Sequence, residues 1–90
     1  MAQFILIHTR AIEEVAQDTT FKLFHALVKV QVPGTKWLGS WMAVDASRLF
    51  CLWEAPDEEH IHTALGPERL AMLPIQAAYE VVAIDPAFFA

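Results

Sequence analysis

Hydrophobic and polar positions along the chain are most informative between Trp37 and Pro56. There WLGSWMAVDASRLFCLWEAP reads as two strands around a turn near Asp45-Ala46-Ser47. Neither strand has a polar face. Trp37, Gly39 and Trp41 alternate with Leu38, Ser40 and Met42 in the first strand. Leu49, Cys51 and Trp53 alternate with Phe50, Leu52 and Glu54 in the second. Successive strand side chains point to opposite faces, so both faces of this hairpin favour leaving water. An antiparallel sheet in a small protein ordinarily keeps one face solvated. A second subunit or a bound ligand is therefore expected over one of them.

The same patterning organises the rest of the chain. FILIH, from Phe4 to His8, predicts a short apolar strand. Ala11 to Val30 predicts a helix with Phe21, Phe24 and Val28 on one side, widened by Leu23, Leu27 and Val30. Asp18, Lys22, His25 and Lys29 recur at helical spacing as its solvated face. A start capped by Asp18 or Thr19, with the acidic segment before it as a separate turn, is the alternative. Val32-Pro33-Gly34 stops the helix, because proline disfavours helix before it and glycine allows the turn. Asp57 caps a second helix, with Glu58 and Glu59 at its positive end. Ile61, Ala64 and Leu65 pack inward until Gly66-Pro67, and Glu68 to Leu73 forms a further short turn of helix. Tyr79 to Ile84 is the last strand, and Asp85 to Ala90 an apolar tail.

The order β-α-β-β-α-β predicts an α+β, ferredoxin-like domain spanning residues 1–90, a four-stranded antiparallel sheet with both helices on one face. The helices cover one side, which leaves the second apolar face open. Composition points the same way: 56% of residues are hydrophobic, above the ordinary range of about 45–50%. Surplus apolar surface on so small a domain indicates an oligomer or a lined cavity.

Charge narrows the partners. The net charge is −5 and the six basic residues stand singly, which argues against nucleic acid and against anionic membranes. MAQFILIHTR at the N-terminus reads as neither a signal peptide nor a membrane span. A single cysteine makes no internal disulfide, and a cytoplasmic location is expected.

Candidate chemistry is sparse. Possible metal ligands are His8, His25, His60, His62 and Cys51. His60 and His62 point about 200° apart on a helix, so they share a metal only where the helix is not formed. His25 belongs to the solvated stripe, and His8 ends the first strand facing either side of the sheet. Cys51, between Phe50 and Leu52, reads as a small core hydrophobe rather than a nucleophile. Glu54 is the catalytic candidate. Alternation puts it on one face with Phe50 and Leu52, and with Trp37 and Trp41 across the hairpin, as an acid or base at the edge of an aromatic surface; a solvated strand end, or a pair with Arg48, Lys36 or Arg10, is the alternative reading. The aromatic residues can line a pocket for a flat organic ligand or form a dimer interface.

The hairpin and its exit, Gly34-Thr-Lys-Trp-Leu-Gly-Ser-Trp and Asp45-Ala-Ser-Arg-Leu-Phe-Cys-Leu-Trp-Glu-Ala-Pro, resemble a family of short bacterial ferredoxin-like proteins, largely of unknown function. That family includes a nickel-binding protein from Streptomyces. The resemblance implies sheet-to-sheet dimers of the α+β barrel type, and nickel or another divalent transition metal as a ligand. His8 falls where relatives carry a polar residue. Gly39 stands where relatives often carry a histidine, which removes one donor and leaves a gap between Trp37 and Trp41.

The expectation is a homodimer through the open sheet face that binds a metal ion at His8 or a small ligand at Trp37, Gly39, Trp41, Phe50 and Glu54. Binding is favoured over catalysis. The alternatives are a cofactor-independent dimeric α+β barrel enzyme, of isomerase or monooxygenase type, using Glu54 or His8, and a structural or regulatory partner without ligand.

Overall fold

The computed structural model describes residues 2–9, 17–45 and 47–90. Strand β1 (Ala2–Thr9) is followed by helix α1 (Gln17–Val28), then β2 (Lys36–Met42), β3 (Arg48–Ala55), α2 (Glu58–Met72) and β4 (Ile75–Val81). The four strands form one antiparallel sheet in the order β2-β3-β1-β4. This is the ferredoxin-like α+β arrangement that the pattern predicted.

The turns follow from local chemistry. After α1, Pro33 and Gly34 occupy the middle of a turn closed by Thr35 N–H donating to the Val32 carbonyl at 3.0 Å. Gly34 takes φ 71°, which glycine adopts without steric cost. Between β2 and β3, Asp45 accepts from the Ser47 amide at 3.0 Å. At α2, Asp57 caps the first turn by accepting from the His60 amide at 2.9 Å. Gly66, at φ 77° and ψ 164°, breaks α2 before Pro67 starts its second segment. The Arg69 guanidinium donates to the Leu65 carbonyl at 2.9 Å, satisfying one acceptor that the break exposes.

Three expectations are corrected. The last strand lies at Ile75–Val81 rather than Tyr79–Ile84. The pairing of β4 with β1 ends where Val81 meets Gln3. Val28 is 71% exposed, while Leu23 and Leu27 of α1 are buried. The described part of α1 contains Asp18 and Thr19 within the helix; the expected turns from Ala11 to Ala16 lie outside the described residues.

The core sits between the sheet and the helices. Leu6, Trp53, Ile61, Leu65 and Leu73 are fully buried there, with Ala55 and Cys51. Burial alternates strictly along β1 and β3: Phe4, Leu6 and His8 of β1, and Leu49, Cys51, Trp53 and Ala55 of β3, face the helices.

Candidate functional site

The face without a helix among the described residues is the larger candidate. Register places Ile5 and Ile7 of β1, Phe50 and Leu52 of β3, Trp41 of β2 and Tyr79 of β4 on it. Every strand thus contributes an apolar side chain. Trp41 and Tyr79 are 57% and 58% exposed. Glu54 stands at one end, half-buried, opposite Gln3 on one side and Lys36 on the other.

A bulge decides which aromatic residues belong to this face. Trp37 pairs with Trp53, whereas Gly39 pairs with Leu52, so Leu38 is an extra residue in β2. The insertion reverses the alternation on either side of it. Trp37 therefore points to the helix side with Trp53, and Trp41 to the open side with Phe50. The expected sharing of one face by Trp37, Trp41 and Glu54 does not hold, and there is no gap between the two tryptophans. The Trp41 ring instead lies across Gly39, its Cη2 4.0 Å from where a Cβ would stand. An isolated glycine inside a strand is the sequence mark of a bulge, and Gly39 carries it.

On the helix side, Trp37 stacks on Phe24, with ring centroids 5.4 Å apart and planes 14° from parallel. Its indole N–H donates to Ser40 Oγ at 2.9 Å, and the Ser40 hydroxyl donates to Cys51 Sγ at 2.9 Å. Burial pushes the Cys51 thiol up to about 11, with the Ser40 hydroxyl only partly opposing it. Cys51 is therefore a protonated core residue at neutral pH, as its apolar neighbours indicated.

His8 is 1% exposed and also faces the helices. Its Nδ1 lies 2.9 Å from the Leu73 carbonyl oxygen. A carbonyl only accepts, so Nδ1 carries the proton and Nε2 is a bare acceptor. Nε2 is buried with no partner among the described residues. Burial holds the imidazole below its ordinary pKa, against the opposing effect of the Leu73 and Pro74 carbonyls. His8 and Glu54 thus lie on opposite sides of the sheet, and one proton-transfer site does not contain both.

The remaining histidines sit on formed helix. His60 Nδ1 meets Asp57 Oδ1 at 2.6 Å, and His62 Nε2 meets Glu58 Oε2 at 3.0 Å. The His60 hydrogen bonds hold the Asp57 carboxyl below the usual range. His60 and His62 are each engaged by a different acid. Among the described residues, no three His, Cys, Asp or Glu side chains gather as a metal-binding group.

Fold and site together define a ferredoxin-like protein with one helix-covered and one bare apolar sheet face. A family model described as nickel responsive protein SCO4226-like matches residues 6–77, and the chain belongs to that family. No curated protein matches it. Among solved structures, SCO4226 from Streptomyces coelicolor A3(2) is similar over 93% of this chain and 100% of its own, at 19% identity and a TM-score of 0.70. At that identity the likeness speaks for the fold. Among the described residues, no helix is long and apolar enough to cross a membrane.

Proposed function

We propose that this chain is a small homodimeric binding protein of a nickel response. In this reading its two open sheet faces pack together and accept a small apolar or aromatic ligand beside Trp41, Phe50 and Glu54. The observation that carries the proposal is the bare face, which is apolar on every strand. A face of four strands, each seven or eight residues long, covers about 20 by 25 Å at ordinary strand spacings. Left in water, it is a patch of the size that marks an interaction site.

Nickel enters the proposal through the family. The described donors do not fit a nickel centre at His8. That residue offers one nitrogen, no three His, Cys, Asp or Glu side chains gather around it among the described residues, and a partner seated on the open face is on the wrong side of the sheet. A borderline metal needs several donors held together. The proposal therefore places the ligand on the open face and makes it organic. No chemical step is assigned to Glu54.

Sedimentation equilibrium at micromolar concentration tests the assembly. The expected result is a wild-type dimer that Leu52→Asp weakens at least a hundredfold, because the substitution places an unpaired carboxylate in the seam. A wild-type monomer sinks the proposal.

A further inference from the structure

The two ends of the bare face carry opposite charge patterns. At one end Glu54 of β3 stands level with Lys36 of β2. At the other end Arg48 of β3 stands level with Ala43, whose amide donates to the Arg48 carbonyl at 2.9 Å, and the adjoining turn carries Asp45. From the first end to the second, β3 therefore runs from acidic to basic, while β2 and its turn run from basic to acidic. Burial alternates along β3 without interruption, which keeps Arg48 and Glu54 on the same side of the sheet. Their spacing along the strand, roughly 20 Å, is too great for them to pair within one chain. Neither belongs to an ion pair among the described residues.

Two different two-fold axes lying between the sheets can stack this face on that of a second copy. An axis parallel to the strands sets β3 over β1 of the other copy, and β2 over β4. An axis across the strands sets every strand antiparallel over itself. Bulk does not choose between them. By register, the first stacks Phe50 on Ile7 and Leu52 on Ile5, and the second stacks Phe50 on Leu52 and Ile5 on Ile7. Charge does choose. The first axis lays Glu54 over Gln3, Arg48 over Thr9 and Lys36 over Val81, so no charge at the border meets its opposite. The second lays Glu54 over Arg48, and Lys36 over the turn that carries Asp45, each of them twice.

We infer that the bare faces of two copies pair about the axis across the strands, with Glu54 of each copy bonded to Arg48 of the other. The inference rests on the dimer proposed above and completes its ligand site. Glu54, at the border of that site, is held by an arginine from the second copy, so the site is whole only in the dimer. Reach allows it. Glu54 and Arg48 each lie roughly 10 Å from the middle of β3. Sheets packed face to face cross at about 30°, which shifts the strand ends sideways by about 5 Å. With about 10 Å between the sheets, the glutamate and arginine side chains together span the gap. Pairs at an exposed rim add little affinity. Here they select the symmetry, by matching in one arrangement what stays unpaired in the other, while the apolar centre supplies the binding.

The test is charge reversal on the full chain, read by sedimentation equilibrium at low ionic strength, where rim charges are screened least. Far-UV circular dichroism is the folding control. Glu54→Arg alone and Arg48→Glu alone are each expected to raise the dimer dissociation constant at least tenfold, because like charges then face each other twice. Glu54→Arg makes the net charge of −5 less negative, so overall repulsion does not account for its weakening. Mixed in equal amounts, the two variants are expected to form a heterodimer within about threefold of wild-type affinity, since both pairs across its seam regain opposite charges. The axis parallel to the strands predicts no preference for the heterodimer. Where a reversed variant loses its far-UV spectrum, Glu54→Gln, which keeps the shape of the side chain, is expected to raise the constant three- to tenfold. A wild-type dimer that none of these substitutions weakens, or reversed variants that form no heterodimer on mixing, overturns the inference alone. A wild-type monomer overturns it together with the dimer.

Discussion

Leu6 and Ile7 are neighbours on β1, alike in size and hydrophobicity, yet Leu6 is fully buried beneath the helices while Ile7 points to the face that no helix covers. The contrast extends across the sheet. On the covered face Trp37 bonds Ser40, Ser40 bonds Cys51 and His8 Nδ1 bonds the Leu73 carbonyl, while His8 Nε2 and Trp53 Nε1 are buried without a partner among the described residues. On the bare face, apolar side chains are bordered by Gln3, Lys36 and Glu54 at one end and by Thr9 and Arg48 at the other. One face has its apolar side chains buried within the chain. The other has the make-up of an interface, an apolar centre with a polar rim.

The largest effect should follow from emptying the covered face. Trp53→Ala removes a side chain that is 1% exposed and is expected to cost about 3–5 kcal/mol in denaturant unfolding. Leu52→Ala, one residue away on the bare face, should cost less than half as much in protein dilute enough to be monomeric. Equal costs would mean that the two faces do not differ in the way described.

A smaller effect concerns acid. Burial lowers the folded-state pKa of His8 below 6.5. At higher pH the imidazole is neutral in both states and its contribution is constant. As pH falls below 6.5 the unfolded chain takes up the proton first, so stability declines until the folded-state pKa is reached. His8→Phe should flatten that part of the pH–stability profile, measured by urea unfolding. An unchanged slope would remove His8 from the account.

The smallest expected effect is none. Calorimetric titration with nickel should give the same heats for wild type and His8→Ala. A difference would put a metal on the covered face and break the division between a buried face and a binding face.

Much of this was legible in the residues. The order of elements, the Asp57 cap, the break at Gly66-Pro67 and the solvated stripe of Lys22, His25 and Lys29 all depend on short-range spacing and backbone preference, and the structure bears them out. The side taken by His8 was not legible, because a strand-end histidine has no neighbour in sequence that chooses its face. Nor was the division of the tryptophans. Alternation counts residues, and the bulge at Leu38 adds one that only pairing with β3 reveals.

By itself, the sequence determined that both sides of the hairpin are apolar and that a β-α-β-β-α-β chain has helices for one side of its sheet. Those conclusions follow from local periodicity and the geometry of layers. Tertiary structure decided which side each residue takes. Strand register moved Trp37 under α1 against Phe24, laid Trp41 over Gly39 on the bare face, and separated His8 from Glu54. The physical reason is the two-residue period of a strand: one residue added or removed turns every later side chain to the opposite face.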